Sequence, residues 1–257
     1  MTAALDLARV SRHFGGVRAV HDLTFNIAED GITGLIGPNG AGKTTLFDLI
    51  TGRVKPTSGT IRFRDIVLNG RDPGDIARLG LVRSFQSPMV LAGLTVRDHL
   101  RQAALFRAIG RPRDLLRRVS LSRARQQAIA RADQVLEFVG LYAQAQQQAG
   151  ALAYGLQKTL GLAMAVATGP RLLLADEPAA GLNGAETHRM EALLRSIRSQ
   201  LGISLIVIEH DLPVVMRLCE RIIVLAQGQV VADGTPAQVR QSQAFISAYL
   251  GSHQDAA

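Results

Sequence analysis

Tryptophan is absent from the 257 residues and cysteine occurs once, at Cys219. A lone cysteine cannot close a disulfide within its own chain, which suits a reducing compartment rather than a secreted, disulfide-stapled domain. Aromatic residues make up only 4% of the chain, so it is poorly supplied with the stacking platforms that grip single-stranded nucleic acid. No run is long and apolar enough to cross a bilayer, and the opening "MTAALDLARV" lacks the charged, apolar and small-residue segments of a secretory signal. These absences lead us to expect a soluble, cytoplasmic protein. Acid is the scarcer charge, with 21 Asp and Glu against 29 Lys and Arg, for a net +8. That balance favours phosphates, nucleic acid or an anionic membrane face, without choosing among them.

What is present has the length and the apolar share, 47%, to bury a full core. Near the N-terminus "LDLARVSRHF", "RAVHDLTFNI" and "GTIRFRDIVL" are rich in β-branched and aromatic residues and bounded by turn formers, which predicts a largely antiparallel β layer. Among them "GITGLIG" reads as a short buried strand, and "TTLFDLITG" as a helix closed by Gly52. From about Thr95 to Gly140 the composition turns to Ala, Arg, Gln and Leu, the mark of a helical insertion. There Ser122 is placed to cap a helix that turns Ala128, Ala132, Val135, Leu136 and Val139 to one face and stops at Gly140. From Arg171 onward the pattern alternates: "RLLLADE", a helix capped by Asn183, "SLIVIEH", a short helix, and "RIIVLAQG". Alternation of this kind predicts a mainly parallel sheet flanked by helices. The expected fold is therefore α/β in a single domain. Residues 1–94 and 169–257 form its core with the antiparallel layer, and 95–168 form a helical subdomain.

"GPNGAGKTT" satisfies G-x-x-x-x-G-K-[ST] in full, with an apolar strand before it and a helix after it. This makes the core a P-loop NTPase core. The candidate nucleotide contacts are Gly37, Pro38, Asn39, Gly40, Ala41, Gly42, Lys43, Thr44 and Thr45. The glycines let successive N–H groups point inward as a nest for phosphate oxygens at a helix N-terminus. Lys43 offers a cation to the β- and γ-phosphates, and the Thr44 hydroxyl is a hard oxygen ligand for Mg2+.

In "LLLADEP" an apolar strand delivers Asp176 and Glu177 at its C-terminal end, where α/β sheets place their ligands. Asp176 is positioned to hold Mg2+, and Glu177 to polarise an attacking water. A second acid directly after the metal-holding one points to hydrolysis rather than transfer to another molecule. His210 in "VIEHD" emerges one strand–helix unit later, suited to contact a γ-phosphate, and Gln86 in "RSFQSP" offers an amide to Mg2+ and water.

Taken in order and spacing, "GPNGAGKTT", Gln86, "LAYGLQ", "LLLADEP", "AGLN" and "VIEHD" resemble an ABC-transporter ATP-binding subunit over almost the whole chain. The resemblance implies ATP as the nucleotide, with Mg2+. It implies that "LAYGLQ", with Ala153, Tyr154 and Gly155, is a signature motif that contacts the γ-phosphate of ATP held by a second ATP-binding subunit, in a homodimer or a heterodimer. Asn183 in "AGLN" resembles the D-loop at that interface, and Phe14 resembles the aromatic that stacks on adenine. Within the family, the "RSFQ" and "DEPAAGLN" segments and the Arg-rich insertion look most like the subunits of branched-chain amino-acid importers and their relatives for small polar solutes. That implies two separate membrane permeases and, indirectly, a solute-binding protein, with the chain peripheral on the inner membrane face and no nucleic-acid partner. The Arg-rich stretch would then face the permeases and anionic lipid. Two functions stay open beside this one: a lipid or lipopolysaccharide exporter subunit, which shares every motif, and a soluble ABC ATPase acting on nucleic acid. The sequence departs from the family pattern at Ala153, where serine is usual, at Leu156, where a polar residue is common, and at Gly161, which costs a helix about 1 kcal/mol.

Overall fold

A computed structural model of the chain describes residues 3–87, 89–109 and 118–250. Arg111, Arg113 and Arg117 of the Arg-rich stretch, and the polar tail after Gly251, lie outside the described residues. β1 (Ala3–Phe14), β2 (Val17–Ala28), β4 (Ser58–Phe63) and β5 (Ile66–Val67) form an antiparallel sheet in the order β2-β1-β4-β5. "GTIRFRDIVL" is thus a hairpin rather than one strand, because the chain reverses at Arg64, whose φ is 52°.

The second sheet runs β10-β9-β3-β8-β7-β6, built from β3 (Ile32–Ile36), β6 (Leu81–Ser84), β7 (Leu172–Asp176), β8 (Ser204–Ile208), β9 (Arg221–Ala226) and β10 (Gln229–Gly234). Every neighbouring pair is parallel except β9 with β10. Strand periodicity decides where its side chains go. Leu172 and Leu174 of β7 join a core with Leu5, Leu7 and Ile61 of the antiparallel layer and Leu46 and Phe47 of α1 (Lys43–Ile50). Leu173 and Ala175 face the opposite way, into a second core with α5 (Tyr154–Ala167) and α6 (Gly184–Leu201). The central strands are buried on both faces, which is why they read as unbroken apolar runs.

α2 (Pro73–Leu79) leads into β6. α3 (Val96–Ile109) and α4 (Arg118–Phe138) pack together and against α5. Ala128, Ala132, Val135 and Leu136 are buried as the periodicity predicts. Ser122, however, lies inside α4 rather than at its start, because the helix already runs from Arg118. The chain closes with α7 (Leu212–Leu218), α8 (Pro236–Gln241) and α9 (Gln243–Leu250). α2, β10, α8 and α9 have too short or too mixed a pattern to read from sequence.

A candidate nucleotide site on one sheet edge

The order β3-β8-β7-β6 brings four strand ends side by side, and the candidate residues leave from those ends. The phosphate loop follows β3, His210 follows β8, Asp176 ends β7 with Glu177 directly after it, and Gln86 follows β6. Strand register keeps them level, with Asp176 beside Ile208 and Ala175 beside Ser84. Residues up to 173 positions apart in sequence so come to one edge, the C-terminal edge where open α/β sheets bind ligands.

In the phosphate loop, glycine is required at two positions, each because a Cβ would run into a backbone carbonyl oxygen. A Cβ at Gly37, where φ is 154°, would fall 2.1 Å from the Leu225 carbonyl oxygen, and one at Gly42, where φ is 98°, would fall 2.4 Å from that of Ala19. Gly42 is also the N-cap of α1, so the open N–H groups of the helix face the loop. Asn39 and Gly40 are exposed at the loop's crest, Pro38 and Thr45 are half-buried, and Ala41 is packed inside. The Lys43 Nζ donates to the carbonyl oxygens of Gly37 (2.6 Å) and Pro38 (3.0 Å). Burial lowers the Lys43 pKa, against the raising effect of the Glu177 and Asp176 charges.

Glu177 is the hub. His210 Nε2 lies 2.7 Å from its Oε1, and the Gln86 amide Nε2 donates to its Oε2 over 2.5 Å. One carboxylate thus gathers two of the other residues expected to do chemistry. Its backbone φ is 48°, in the left-handed region that non-glycine residues seldom occupy. Strain of this kind clusters where function demands it.

Asp176 is held by Arg83, whose Nε and Nη2 both reach Oδ2, at 3.1 and 2.5 Å, while Nη1 binds Asp48 at 2.6 Å. The Arg83 side chain is 7% exposed and lies against the Phe47 and Phe85 rings. Reading motifs missed this arginine. Its only signal is a charge within a short strand, three residues before Gln86. Two further buried ionisable side chains behind Glu177 were missed as well. Lys158, 6% exposed, donates to the Glu177 carbonyl oxygen at 2.6 Å. Glu209 Oε1 accepts from the Ala179 N–H at 2.6 Å. Lys158 had one signal in the sequence, a lone cation in the otherwise apolar or neutral run "LQKTLGLAMAVA".

The fit of a cation can be judged from the donor set. Thr44 Oγ1, the Gln86 amide oxygen and an Asp176 carboxylate are hard oxygen ligands with a single charge among them. That matches the habit of Mg2+ to bind one or two carboxylates together with substrate phosphates. Among the described residues no cluster of three or more His, Cys, Asp or Glu could hold a metal without a substrate.

The remaining candidates sit apart from this hub. Ala153 is the N-cap of α5, with no side-chain cap bond. Tyr154 and Leu156 are exposed, and the Tyr154 ring packs near Gly181, where a Cβ would lie 3.1 Å from its Cε1. A Cβ on Gly155 would lie 2.7 Å from Glu186 Oε1. Asn183 caps α6 as its sequence predicts: its side chain accepts from the Glu186 N–H, and Glu186 accepts in return from the Asn183 N–H, both at 3.0 Å. Phe14, 44% exposed at the end of β1, carries the Arg12 guanidinium 4.4 Å from its ring centroid. Beside Gln86 a groove of about 380 Å3 is lined by Phe85, Met89, Ala103, Gly161 and Met164.

The sequence profile of the ABC transporter family matches residues 20–180. The high-affinity branched-chain amino acid transport ATP-binding protein LivG of Escherichia coli strain K12 is 43% identical over 93% of this chain and 94% of its own. BraF of Pseudomonas aeruginosa, which carries the same description, is 39% identical over 96% of this chain and 97% of its own. Among solved structures, the ADP conformation of an ATP-binding cassette of an ABC transporter superposes with a TM-score of 0.84, at 26% identity over 98% of this chain and 100% of that one. A dimeric bacterial ABC transporter cassette superposes with a TM-score of 0.74, at 26% identity over 90% of this chain and 98% of that one.

Proposed function

The chain belongs to the ABC transporter family of ATP-binding proteins, and from that premise we propose that it is the ATP-hydrolysing subunit of a branched-chain amino-acid importer. The observation that carries the hydrolytic assignment is the Glu177 carboxylate, gripped by His210 on one oxygen and Gln86 on the other at the edge where the phosphate loop ends. A carboxylate oriented by two partners is a general base with its geometry set in advance. The solute class rests on full-length similarity to LivG and BraF.

In this reading the loop N–H groups from Gly37 to Thr45 cradle the phosphates of ATP, and Lys43 leaves its loop carbonyls to meet the β- and γ-phosphates. Thr44, Gln86 and Asp176 would hold Mg2+, which when bound neutralises charge on the β- and γ-oxygens. Glu177 accepts a proton as water forms its bond to the γ-phosphorus. The bond to the β,γ-bridging oxygen breaks, and the electron pair leaves with ADP. His210 Nε2 keeps Glu177 aimed until ATP is bound, and its N–H then turns to the γ-phosphate. Phe14 supports the adenine on its exposed face, sharing it with Arg12 as a cation over the ring.

A second subunit supplies the other half. Ala153, Tyr154 and Gly155 open α5, and their N–H groups would meet the γ-phosphate of the partner's ATP, with Asn183 at the same interface. The apolar groove of Phe85, Met89 and Met164 beside Gln86 suits a helix from one permease, the second subunit's groove taking the other, which would put the chain on the inner membrane face. It also gives Gly161 a role, since the missing side chain keeps the groove open.

Glu177→Gln tests the assignment. The variant should bind ATP, lose turnover by roughly a hundredfold or more, and accumulate as an ATP-bound dimer on gel filtration. A variant with unchanged hydrolysis would reject Glu177 as the base. For the solute, the chain assembled with its permease and solute-binding partners should show ATPase activity stimulated by leucine, isoleucine or valine. Stimulation by an unrelated solute alone would reject the branched-chain amino-acid assignment.

A further inference from the structure

The loop that follows β7, from Glu177 to Leu182, is gripped by two buried ionisable side chains, Lys158 and Glu209. From α5, Lys158 donates to the Glu177 carbonyl oxygen, which also accepts from the Ala180 N–H at 3.2 Å. From the end of β8, Glu209 accepts from the Ala179 N–H. The Glu177 N–H is tied to the Ile208 carbonyl at 2.9 Å. Burying an ammonium is expensive unless its bonds repay it, and Lys158 spends its charge on a backbone carbonyl within the catalytic loop. A charge-assisted bond of this kind is stronger than a neutral one. It falls on the residue whose φ of 48° needs outside support, since such strain persists only when surrounding contacts hold it.

Lys158 also belongs to the helix whose first turn would be offered to the partner's ATP. It lies one turn beyond Tyr154, with its Nζ 5.8 Å from that ring's centroid, and the Tyr154 ring packs near Gly181 in the same loop. α5 therefore touches the catalytic loop at its start and near its end.

We propose that Lys158 is a positioning residue for ATP hydrolysis, holding Glu177 in its left-handed conformation and tying that conformation to the helix that meets the partner's nucleotide. This rests on the ATPase reading above and deepens it. The Lys158 Nζ donates to the Glu177 carbonyl oxygen, so it acts through the Glu177 backbone. Glu209 anchors the loop from the opposite side, so the base is set by a helix that senses one nucleotide and a strand end that carries His210 to the other.

The test uses the full chain with steady-state ATPase kinetics, titration of a fluorescent ATP analogue, and thermal melting. Lys158→Met should lower kcat at least about tenfold, since a misplacement of about 1 Å in a catalytic group can cost about a hundredfold. The affinity for the analogue should stay within about twofold of wild type, because the phosphate loop is untouched. Lys158→Arg should recover most of the loss by keeping the charged donor. If Lys158 merely neutralised Glu209, the double variant Lys158→Met/Glu209→Gln would regain activity; on the present proposal it stays slow, and recovery overturns it. Should Lys158→Met not fold, Lys158→Gln is judged by the same split between kcat and affinity. A folded variant with wild-type kcat overturns the proposal alone. A wild-type chain that turns over no MgATP overturns the functional reading with it.

Discussion

Glu209 is 3% exposed at the end of β8, directly before His210. Burial pushes its carboxyl up to about 7, against the lowering effect of the Ala179 N–H and of Lys158. Between the ordinary carboxylate range and pH 7, the folded chain therefore keeps a proton that the unfolded chain has lost. Stability contributed at this residue falls as pH rises through that window and does not return above it. Glu209→Gln should flatten this slope. Denaturant melts at pH 5 and pH 8 should show the stability gap between variant and wild type shifting in the variant's favour by up to about 3 kcal/mol as pH rises. A gap that does not change with pH would mean that Glu209 is ionised throughout.

The helices draw their order from different sources. α6 begins with a reciprocal capping box, Asn183 with Glu186, and ends at Gly202 in the left-handed conformation. Asn183→Ala removes one side of the box and should cost about 1 kcal/mol, a fall in melting temperature of about 2–4 °C for a chain of this size. Asn183→Asp should keep most of that stability. An equal loss in both variants would place the cost elsewhere than in the cap. α5 begins at Ala153 with no side-chain cap, so its N–H groups are not taken by its own sequence, which suits a helix that greets an outside anion. This contrast was legible in part: Asn183 and Glu186 stand three apart as a cap signal, and Ala153 stands where a hydroxyl is usual. The start of α4 was not legible. Ser122 looks like a cap, yet the helix already runs from Arg118, and a capping preference of this size does not by itself fix where a packed helix starts.

For the whole molecule, paired chains would each complete the other's site, which makes turnover depend on association. Specific ATPase activity should rise with protein concentration over the range where dimers form, and level off when they are saturated. Constant specific activity in samples shown by analytical ultracentrifugation to be monomeric would contradict the shared site. The same architecture explains which site residues could be found from sequence. Gly37 to Thr45, Asp176, Glu177 and His210 stand in or beside contiguous motifs after apolar strands, so short-range pattern suffices. Arg83, Lys158 and Glu209 act through partners 93, 19 and 30 residues away, and no local pattern carries such a pairing.

By itself the sequence determined the elements and the chemistry each could offer. Strand periodicity, glycine placement and the order of polar residues after apolar runs are local properties, and local geometry obeys them. The tertiary structure alone decided which of those residues meet. Only the parallel order β3-β8-β7-β6 sets Gln86 and His210 on the Glu177 carboxylate, and only the packing of α5 against that edge buries Lys158 beneath Glu177. Those contacts are long-range, and the energy that selects them comes from burying two cores at once rather than from any stretch of chain read alone.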